Sequence, residues 1–272
     1  MSESDRPTLF VHLLPSLIPP SALRGSVAIV VDVLRATTVI IQALASGCRM
    51  VIPCLEIDEA RAVAAGLPEG TSILAGERQG LPIEGFDLGN SPSAFTLDVC
   101  LDKTLVITTT NGTRAILASL EAERVFVAAF SNLLAISAHL RELGENVHVI
   151  CSGTEGQISL EDAIFAGALA SNLAVRRGPD GHSWSFGNDE AEIVSRLWGN
   201  VPLDDPDDPE PVDFAGVLGL GRGGRRVRAL GLSADLLDAA RIDRFPFVAE
   251  LLREPLRIVK TDHFIKMSNL VT

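Results

Sequence analysis

Ser26-Val27-Ala28-Ile29-Val30-Val31-Asp32-Val33-Leu34-Arg35-Ala36-Thr37-Thr38 is the stretch on which the fold turns. Its run of valine and isoleucine reads as a buried strand that stops at a carboxylate. Arg35, Thr37 and Thr38 follow, and Val39-Ile40-Ile41-Gln42-Ala43-Leu44-Ala45 continues as an apolar segment with helical character. Strand, polar turn and helix make the repeating unit of an open α/β sheet, whose ligands bind beyond the strand ends. The turn therefore delivers an acid and an arginine to a ligand edge. Simple capping of the helix by Asp32 is the competing reading.

The same unit recurs along the chain. Thr104–Thr108 enters Thr109-Thr110-Asn111-Gly112-Thr113-Arg114 and a helix from Ala115 to Leu120. Arg124–Ala129 precedes a helix running from Ser131-Asn132 to about Leu143, and Val147–Ile150 enters Cys151-Ser152-Gly153-Thr154-Glu155-Gly156. Ser159 and Asp162 resemble a capping box at the start of a long helix, although that motif prefers Glu or Gln in the second place. Shorter strands are expected at Thr8–Leu14, Arg49–Pro53 and Ser72–Ala75, with a helix over Glu56–Ala65 closed by Gly66 and Pro68. Alternating strands and helices predict an α/β fold: a mostly parallel sheet flanked by helices on both faces, a three-layer α/β/α arrangement.

Residues 1–272 are expected to form a single compact α/β unit, or else two α/β halves with a boundary near 100–125. Residues 176–230 read as a less regular insertion, with an acidic, proline-broken loop at 204–210. Gly221-Arg222-Gly223-Gly224-Arg225-Arg226-Val227-Arg228 reads first as a surface turn, with phosphate contact as the alternative. The tail Arg241–Val248 mixes core and charge and is expected to fold back over the sheet.

Composition narrows the function. Apolar residues make up 47% and charged ones 21%, which is enough for a large core and excludes a disordered chain. A net charge of −12 argues against a nucleic-acid or anionic-membrane binder, so the expected partner is a small anionic molecule held by local arginines or a cation. Met1–Pro7 lacks the basic start and apolar core of a signal peptide, and no apolar run approaches a membrane span. Four scattered cysteines without a CxxC pair fit a cytoplasmic protein, and metabolic enzymes of this size are often homodimers.

Four loops at strand ends carry the chemistry. The first offers Asp32, Arg35, Thr37 and Thr38; guanidinium groups match phosphate or sulfonate oxygens in a bidentate way. The second, in the glycine-rich stretch Gly76–Pro92, brings Glu77, Arg78, Glu84 and Asp87. The third, from Thr108 to Arg114, is a run of hydroxyls and an amide entering a helix, where backbone N–H groups form an anion site. The fourth, Cys151 to Gly156, is followed by Glu161 and Asp162, hard oxygen ligands suited to magnesium.

Spacing removes three phosphatase or hydrolase chemistries. A cysteine phosphatase wants arginine six positions after Cys151, where Gln157 stands; an aspartyl-phosphate enzyme wants a second acid two after Asp32, where Leu34 stands. No G-x-S-x-G elbow exists, and none of His12, His139, His148, His182 and His263 lies in these loops. What remains is a magnesium ion bridging carboxylates and an anionic ligand, with water as nucleophile.

Val31–Thr38, Gly76–Arg78, Gly85-Phe86-Asp87-Leu88-Gly89-Asn90-Ser91-Pro92, Thr108–Thr113 and Cys151–Thr154 with Ser159–Asp162 together resemble the 2-phosphosulfolactate phosphatase (ComB) family. The resemblance runs in order from about Val27 to Gly167. It implies a magnesium-dependent phosphatase of α/β fold, converting (2R)-2-phospho-3-sulfolactate to sulfolactate and phosphate on the way to coenzyme M. On that reading Asp32, Asp87 and Glu161 or Asp162 hold the metal, and Arg35, Asn111 and Thr113 orient the phosphoryl group. Thr37, Thr38, Gly112, Ser152, Gly153 and Thr154 complete the substrate site, Arg78 or Arg114 takes the sulfonate or carboxylate, and Glu77 carries a proton. Cys151 is the second-choice nucleophile, on the argument that a helix start lowers its pKa. Two alternatives stay open: a phosphatase for another phosphorylated hydroxy acid, and a non-catalytic anion-binding protein.

Overall fold

The computed structural model describes residues 6–175, 184–202 and 212–261; residues 1–5, His182, the acidic loop 204–210 and His263 lie outside them. Strand β2, Val27–Val31, is fully buried at all five positions. Its side chains alternate between two cores, as a strand covered on both faces requires. Val27, Ile29 and Val31 join one cluster with helices α5 (Leu133–Leu143) and α6 (Leu160–Val175). Ala28 and Val30 join the other with α1 (Ala36–Ala45) and α4 (Gly112–Ala118). Each such Val or Ile contributes about 1.5–3 kcal/mol when withdrawn from water. Eight of the ten residues of α1 are buried, the signature of a helix enclosed on nearly all sides.

Among the described residues, eleven strands form one sheet. Its order is β5 (Leu81–Pro82), β4 (Ser72–Arg78), β6 (Thr104–Thr108), β3 (Met50–Pro53), β11 (Leu256–Thr261), β10 (Val248–Arg253), β7 (Arg124–Ala128), β2, β8 (Val147–Cys151), β1 (Thr8–His12) and β9 (Ser185–Phe186). Two parallel blocks, β4-β6-β3 and β7-β2-β8-β1-β9, flank the antiparallel hairpin β10-β11. The expected mostly parallel sheet with helices on both faces is what the chain forms. Residues 241–247 return to the core, Asp243 N and Phe245 N donating to Phe130 O and Ser131 O and Phe247 buried in the cluster on one face of the sheet; β10 and β11 then enter the middle of the sheet and join the two blocks.

Three successive antiparallel pairings, β7 with β10, β10 with β11 and β11 with β3, make the two blocks run in opposite senses. In a flat sheet their strand ends would face opposite edges. Five strand-to-strand steps separate β2 from β6, and a twist of roughly 20–25° per step turns one block past a right angle relative to the other. The loops after β4 and β6 thereby reach the loops after β2 and β8. Outside this arrangement, α2 (Ile57–Ala65) packs over β6 and β4, with Ala60 against Val106 and Leu74, its start closed by a Glu56–Glu59 capping box, and the short α3 (Leu97–Cys100) precedes β6.

The third quarter contains α7 (Asp189–Trp198), capped by the Asn188 side chain, then α8 (Phe214–Leu218), α9 (Arg222–Ala229) and α10 (Ala234–Ala239). The basic, glycine-rich stretch expected as a surface turn is thus helix α9, with Gly223, Gly224 and Val227 buried. Among the described residues, no helix is long and apolar enough to cross a membrane.

Candidate active site

Asp32 leaves β2 at the converging edge. The Thr37 hydroxyl accepts from its N–H at 3.0 Å and donates to its carbonyl at 2.9 Å, while the Thr38 hydroxyl donates to Val33 O at 2.8 Å. Both threonines, expected at the substrate, are buried braces of the turn. Asp32 Oδ1 accepts from Ala36 N at 3.2 Å, so the carboxylate also caps α1. Burial, then the charges of Glu77 and Glu161, push its pKa up to about 7 against hydrogen bonds from Ala36 and Ser152. Capping and function are therefore not alternatives here: one oxygen caps, and the side chain still lines a cleft.

Arg35 lines the same cleft but is heavily committed. Its Nη1 meets Asp235 Oδ2 at 2.6 Å and donates to Ser91 Oγ at 3.2 Å; its Nη2 donates to Gly80 O at 2.9 Å. Both ions are buried, and Ser91 Oγ donates to the same Asp235 oxygen at 3.0 Å. The Leu34–Arg35 peptide is cis.

Glu77 ties two loops together, Oε2 accepting from Gly80 N at 2.6 Å and Oε1 from Thr110 N at 2.7 Å. Arg78 turns away from the cleft to Leu55 O at 3.0 Å and Thr108 Oγ1 at 2.9 Å. Arg114 is exposed and also off the cleft. Thr109 and Thr113 cap each other at the start of α4: Thr113 N donates to Thr109 Oγ1 and Thr109 N to Thr113 Oγ1, both at 3.2 Å. Asn111 does not cap; its Oδ1 accepts from Glu155 N at 3.3 Å, across to the loop after β8. Gly112 is required by close approach, since a Cβ there would sit 2.5 Å from Ala36 Cβ and 2.9 Å from Asp32 Oδ2.

The acids expected to share a metal with Asp32 have other duties. Asp87 is exposed, and its Oδ2 accepts from Leu74 N at 2.8 Å, away from the cleft. Asp162 takes Val33 N at 2.8 Å on one oxygen, and Gly153 N at 3.1 Å and Ser152 Oγ at 3.2 Å on the other. It reaches across to β2 instead of completing a capping box. Burial first, then Asp32 and Glu161, raise its pKa well above the carboxylate range. Glu161 lies against Gly221 and Gly223 at the start of α9, where a Cβ on either glycine would overlap its carboxylate. Burial raises its pKa against bonds from Ser159 and Gly223, and its Oε2 has no hydrogen-bond partner. Glu161 thus seats α9, and α9 forms part of the cleft wall. Among the described residues, no three His, Cys, Asp or Glu side chains form a ready metal cage.

Cys151 requires a correction. Its side chain belongs to the core cluster under α6, and burial, helped by the Asp162 charge, pushes the thiol well above its ordinary pKa. The expected lowering by a helix start fails because the low-dielectric core disfavours the thiolate more than a helix end favours it. Ser152 and Gly153 serve the Asp162 bridge, and Gly153 adopts φ +67.

What the loops enclose is a small cleft of about 50 Å³, open to solvent. Of the expected residues, Asp32, Arg35, Glu77, Asn111 and Thr154 line it. Sequence reading missed Asn90, Thr110, Glu155 and Arg226 on the same walls. Asn90 Oδ1 and Thr110 Oγ1 are buried without partners, which is costly unless a ligand supplies them. Asn90 stood in the glycine-rich stretch already singled out; Arg226 stood in the basic stretch, and the pattern Arg222–Arg228 on one helix was the signal for it.

A twisted α/β sheet with acids, amides and paired arginines around a strand-end cleft defines an enzyme acting on a small, charged substrate. The chain belongs to the 2-phosphosulpholactate phosphatase family, a group of phosphoric monoester hydrolases: residues 12–254 match its sequence profile. A protein of Symbiobacterium thermophilum called probable 2-phosphosulfolactate phosphatase is 38% identical over 228 residues, 83% of this chain and 91% of that one. One of Caldanaerobacter subterraneus with the same description is 33% identical over 229 residues, covering 84% and 89%. A third, from Clostridium beijerinckii, is 42% identical over 156 residues, which are 57% of this chain and 66% of that relative.

Proposed function

We propose that this chain hydrolyses the phosphate ester of (2R)-2-phospho-3-sulfolactate with magnesium, releasing sulfolactate and phosphate in the cytoplasm on the way to coenzyme M. The observation that carries the metal is a charge imbalance in the cleft. Arg35 is matched by Asp235 and Arg226 by Glu155, which leaves Asp32 and Glu77 without a cation. A phosphorylated acid enters such a cleft more favourably when a cation comes with it. Magnesium suits the donors present, because it is commonly held by one or two carboxylates with waters and substrate phosphate completing the shell. The free cysteines, all buried, are in keeping with a reducing compartment.

Asp32 would hold the ion, and bound magnesium supplies charge neutralisation at the phosphoryl oxygens. Thr110 Oγ1, whose hydrogen-bonding capacity is unmet, orients the phosphoryl group beside Asn111, while Asn90 Oδ1, an acceptor, is open to the cation or its waters. Glu77 is fixed by two backbone amides and retains lone pairs to accept the proton of the attacking water.

Phosphate release from a panel of phosphorylated hydroxy acids, with and without magnesium, tests the reading. Release is expected from 2-phospho-3-sulfolactate with magnesium only. Asp32→Asn should lose about 100-fold or more, the scale of removing one electrostatic group from a transition state. Cys151→Ala should keep turnover within a few-fold. A folded protein that releases phosphate from no member of the panel, or an Asp32→Asn variant of full activity, would overturn it; faster release from another acid would reassign the substrate.

A further inference from the structure

Only two arginines line the cleft among the described residues, and they are built differently. The Arg35–Asp235 pair has side chains 4% and 3% exposed, so withdrawing Arg35 would strand a buried carboxylate. Arg226 and Glu155 meet at 2.6 Å with side chains 34% and 49% exposed, a setting in which an ion pair contributes little net stability. Arg226 Nη2 also donates to Gln79 O at 2.6 Å. One guanidinium thus spans from α9 to the loops after β4 and β8. Its approach depends on Gly80, where a Cβ would lie 3.2 Å from Arg226 Nε and 2.6 Å from Leu230 Cδ1.

Independent observations point to a ligand beside it. Thr110 Oγ1, a hydroxyl able to donate to an anion, lines the same cleft without a partner, and Asn90, 5% exposed, presents there an unpaired Oδ1, an acceptor suited to a cation or its waters. A second anionic group on a substrate therefore meets one guanidinium that can change partners at low cost. Arg78 and Arg114, the arginines expected for that duty, lie off the cleft.

We propose that Arg226 recognises the second anionic group of the substrate, its sulfonate or carboxylate, and that Glu155 occupies the guanidinium until the substrate displaces it. The cleft then selects phosphate monoesters that carry a further negative group, and Glu155 tunes their affinity by competing for the same fork. Sulfonate and carboxylate oxygens both match the planar N–H pair. This assignment rests on the phosphatase reading above.

The test compares kcat/KM for 2-phospho-3-sulfolactate with that for glycerol 2-phosphate, which has no second anion. Arg226→Gln should lower the ratio by about 10- to 100-fold, the range of a lost charge-assisted hydrogen bond, chiefly through KM for the diacid. Glu155→Gln should shift that KM the opposite way, and Arg226→Lys should restore part of the discrimination. A uniform loss on both substrates, or an unchanged ratio, overturns the assignment. Calorimetric binding of 3-sulfolactate separates the two readings if the wild type proves to hydrolyse nothing. Affinity lowered about 10-fold or more by Arg226→Gln would then uphold the anion site without the phosphatase; unchanged affinity, or no binding by the wild type, would sink it.

Discussion

Gly112→Ala tests the geometry on which the site depends, because two effects of known size oppose each other there. Alanine is the better helix former, and at a helical position the exchange is worth about 0.5–1 kcal/mol in favour of Ala. Against it stands a Cβ 2.5 Å from Ala36 Cβ, 2.9 Å from Asp32 Oδ2 and 3.2 Å from Thr109 Oγ1. Carbon atoms settle at about 3.5–4.0 Å, so something must give by about 1 Å or more. Ala36 Cβ is one bond from the backbone of α1 and has no rotamer to change, so the relief must come from helix α1 or α4 moving, at the roughly 1–3 kcal/mol typical of overpacking. The net expectation is destabilisation by about 1–2 kcal/mol, or up to about 8 °C in Tm at 2–4 °C per kcal/mol. Activity should fall further than stability, since a misplacement of about 1 Å at a catalytic group can cost 100-fold. Gly66→Ala is the control: φ is −81°, and the nearest neighbour of a new Cβ is 3.5 Å away. Urea unfolding and phosphate release measure both variants. A Gly112→Ala protein as stable and as active as the wild type would show that α4 does not press on Asp32, and the cleft geometry argued above would fall with it.

Asp235→Asn should cost about 3–5 kcal/mol in urea unfolding, because it leaves the Arg35 guanidinium buried beside a neutral amide; a loss below about 1 kcal/mol would refute the buried-pair account. His12 and His148 carry a pH dependence: their ring nitrogens Nε2 and Nδ1 meet at 2.9 Å. Burial lowers both pKa values, taking His148 to about 4, with Glu190 partly opposing at His12. The unfolded chain takes up these protons near the ordinary value of about 6.5 and the folded pair resists, so stability present above that pH is lost between about 6.5 and 4. His148 accounts for at most about 3 kcal/mol of it. Asp32, Asp162 and Glu161 have raised pKa values and tilt the curve the other way, so the readout is the difference between wild type and His148→Gln. That difference should shrink as pH falls through this window; a gap independent of pH would contradict the shared buried proton.

Much of the fold could be read because its strands are short apolar runs followed by polar turns. Val27–Val31, Thr104–Thr108 and Val147–Cys151 are buried along their whole length, and burial on both faces erases the alternation that a half-exposed strand would show. The central hairpin hid for the opposite reason. Glu250 in β10 and Lys260 in β11 interrupt their apolar neighbours, so no unbroken apolar run marks these strands. Glu250 is tolerated in the sheet because Arg124 of β7 meets it at 3.0 Å, a partner 126 residues earlier in the chain.

The site divides along the same line. Asp32 was legible because its neighbours are local: Ala36 and Thr37 follow within five residues, and the turn they make announces a strand end. The surroundings of Arg35, Glu161 and Asp162 are set by partners far off in sequence. Arg35 looks like a phosphate clamp until Asp235 is found 200 residues on. Glu161 reads as a magnesium ligand in the sequence, and in the fold it also packs against the glycines of α9; Asp162 reads the same way, and its oxygens are filled by Val33, Ser152 and Gly153. A carboxylate that already accepts three donors has little left for a metal, and a guanidinium buried on an aspartate has little left for a substrate. Counting charged residues in the loops therefore overstates the cationic character of the site. Counting them after each has been matched to its partner leaves Asp32 and Glu77 unbalanced and Arg226 exchangeable, and it is on this remainder that the proposed divalent cation and second-anion site rest.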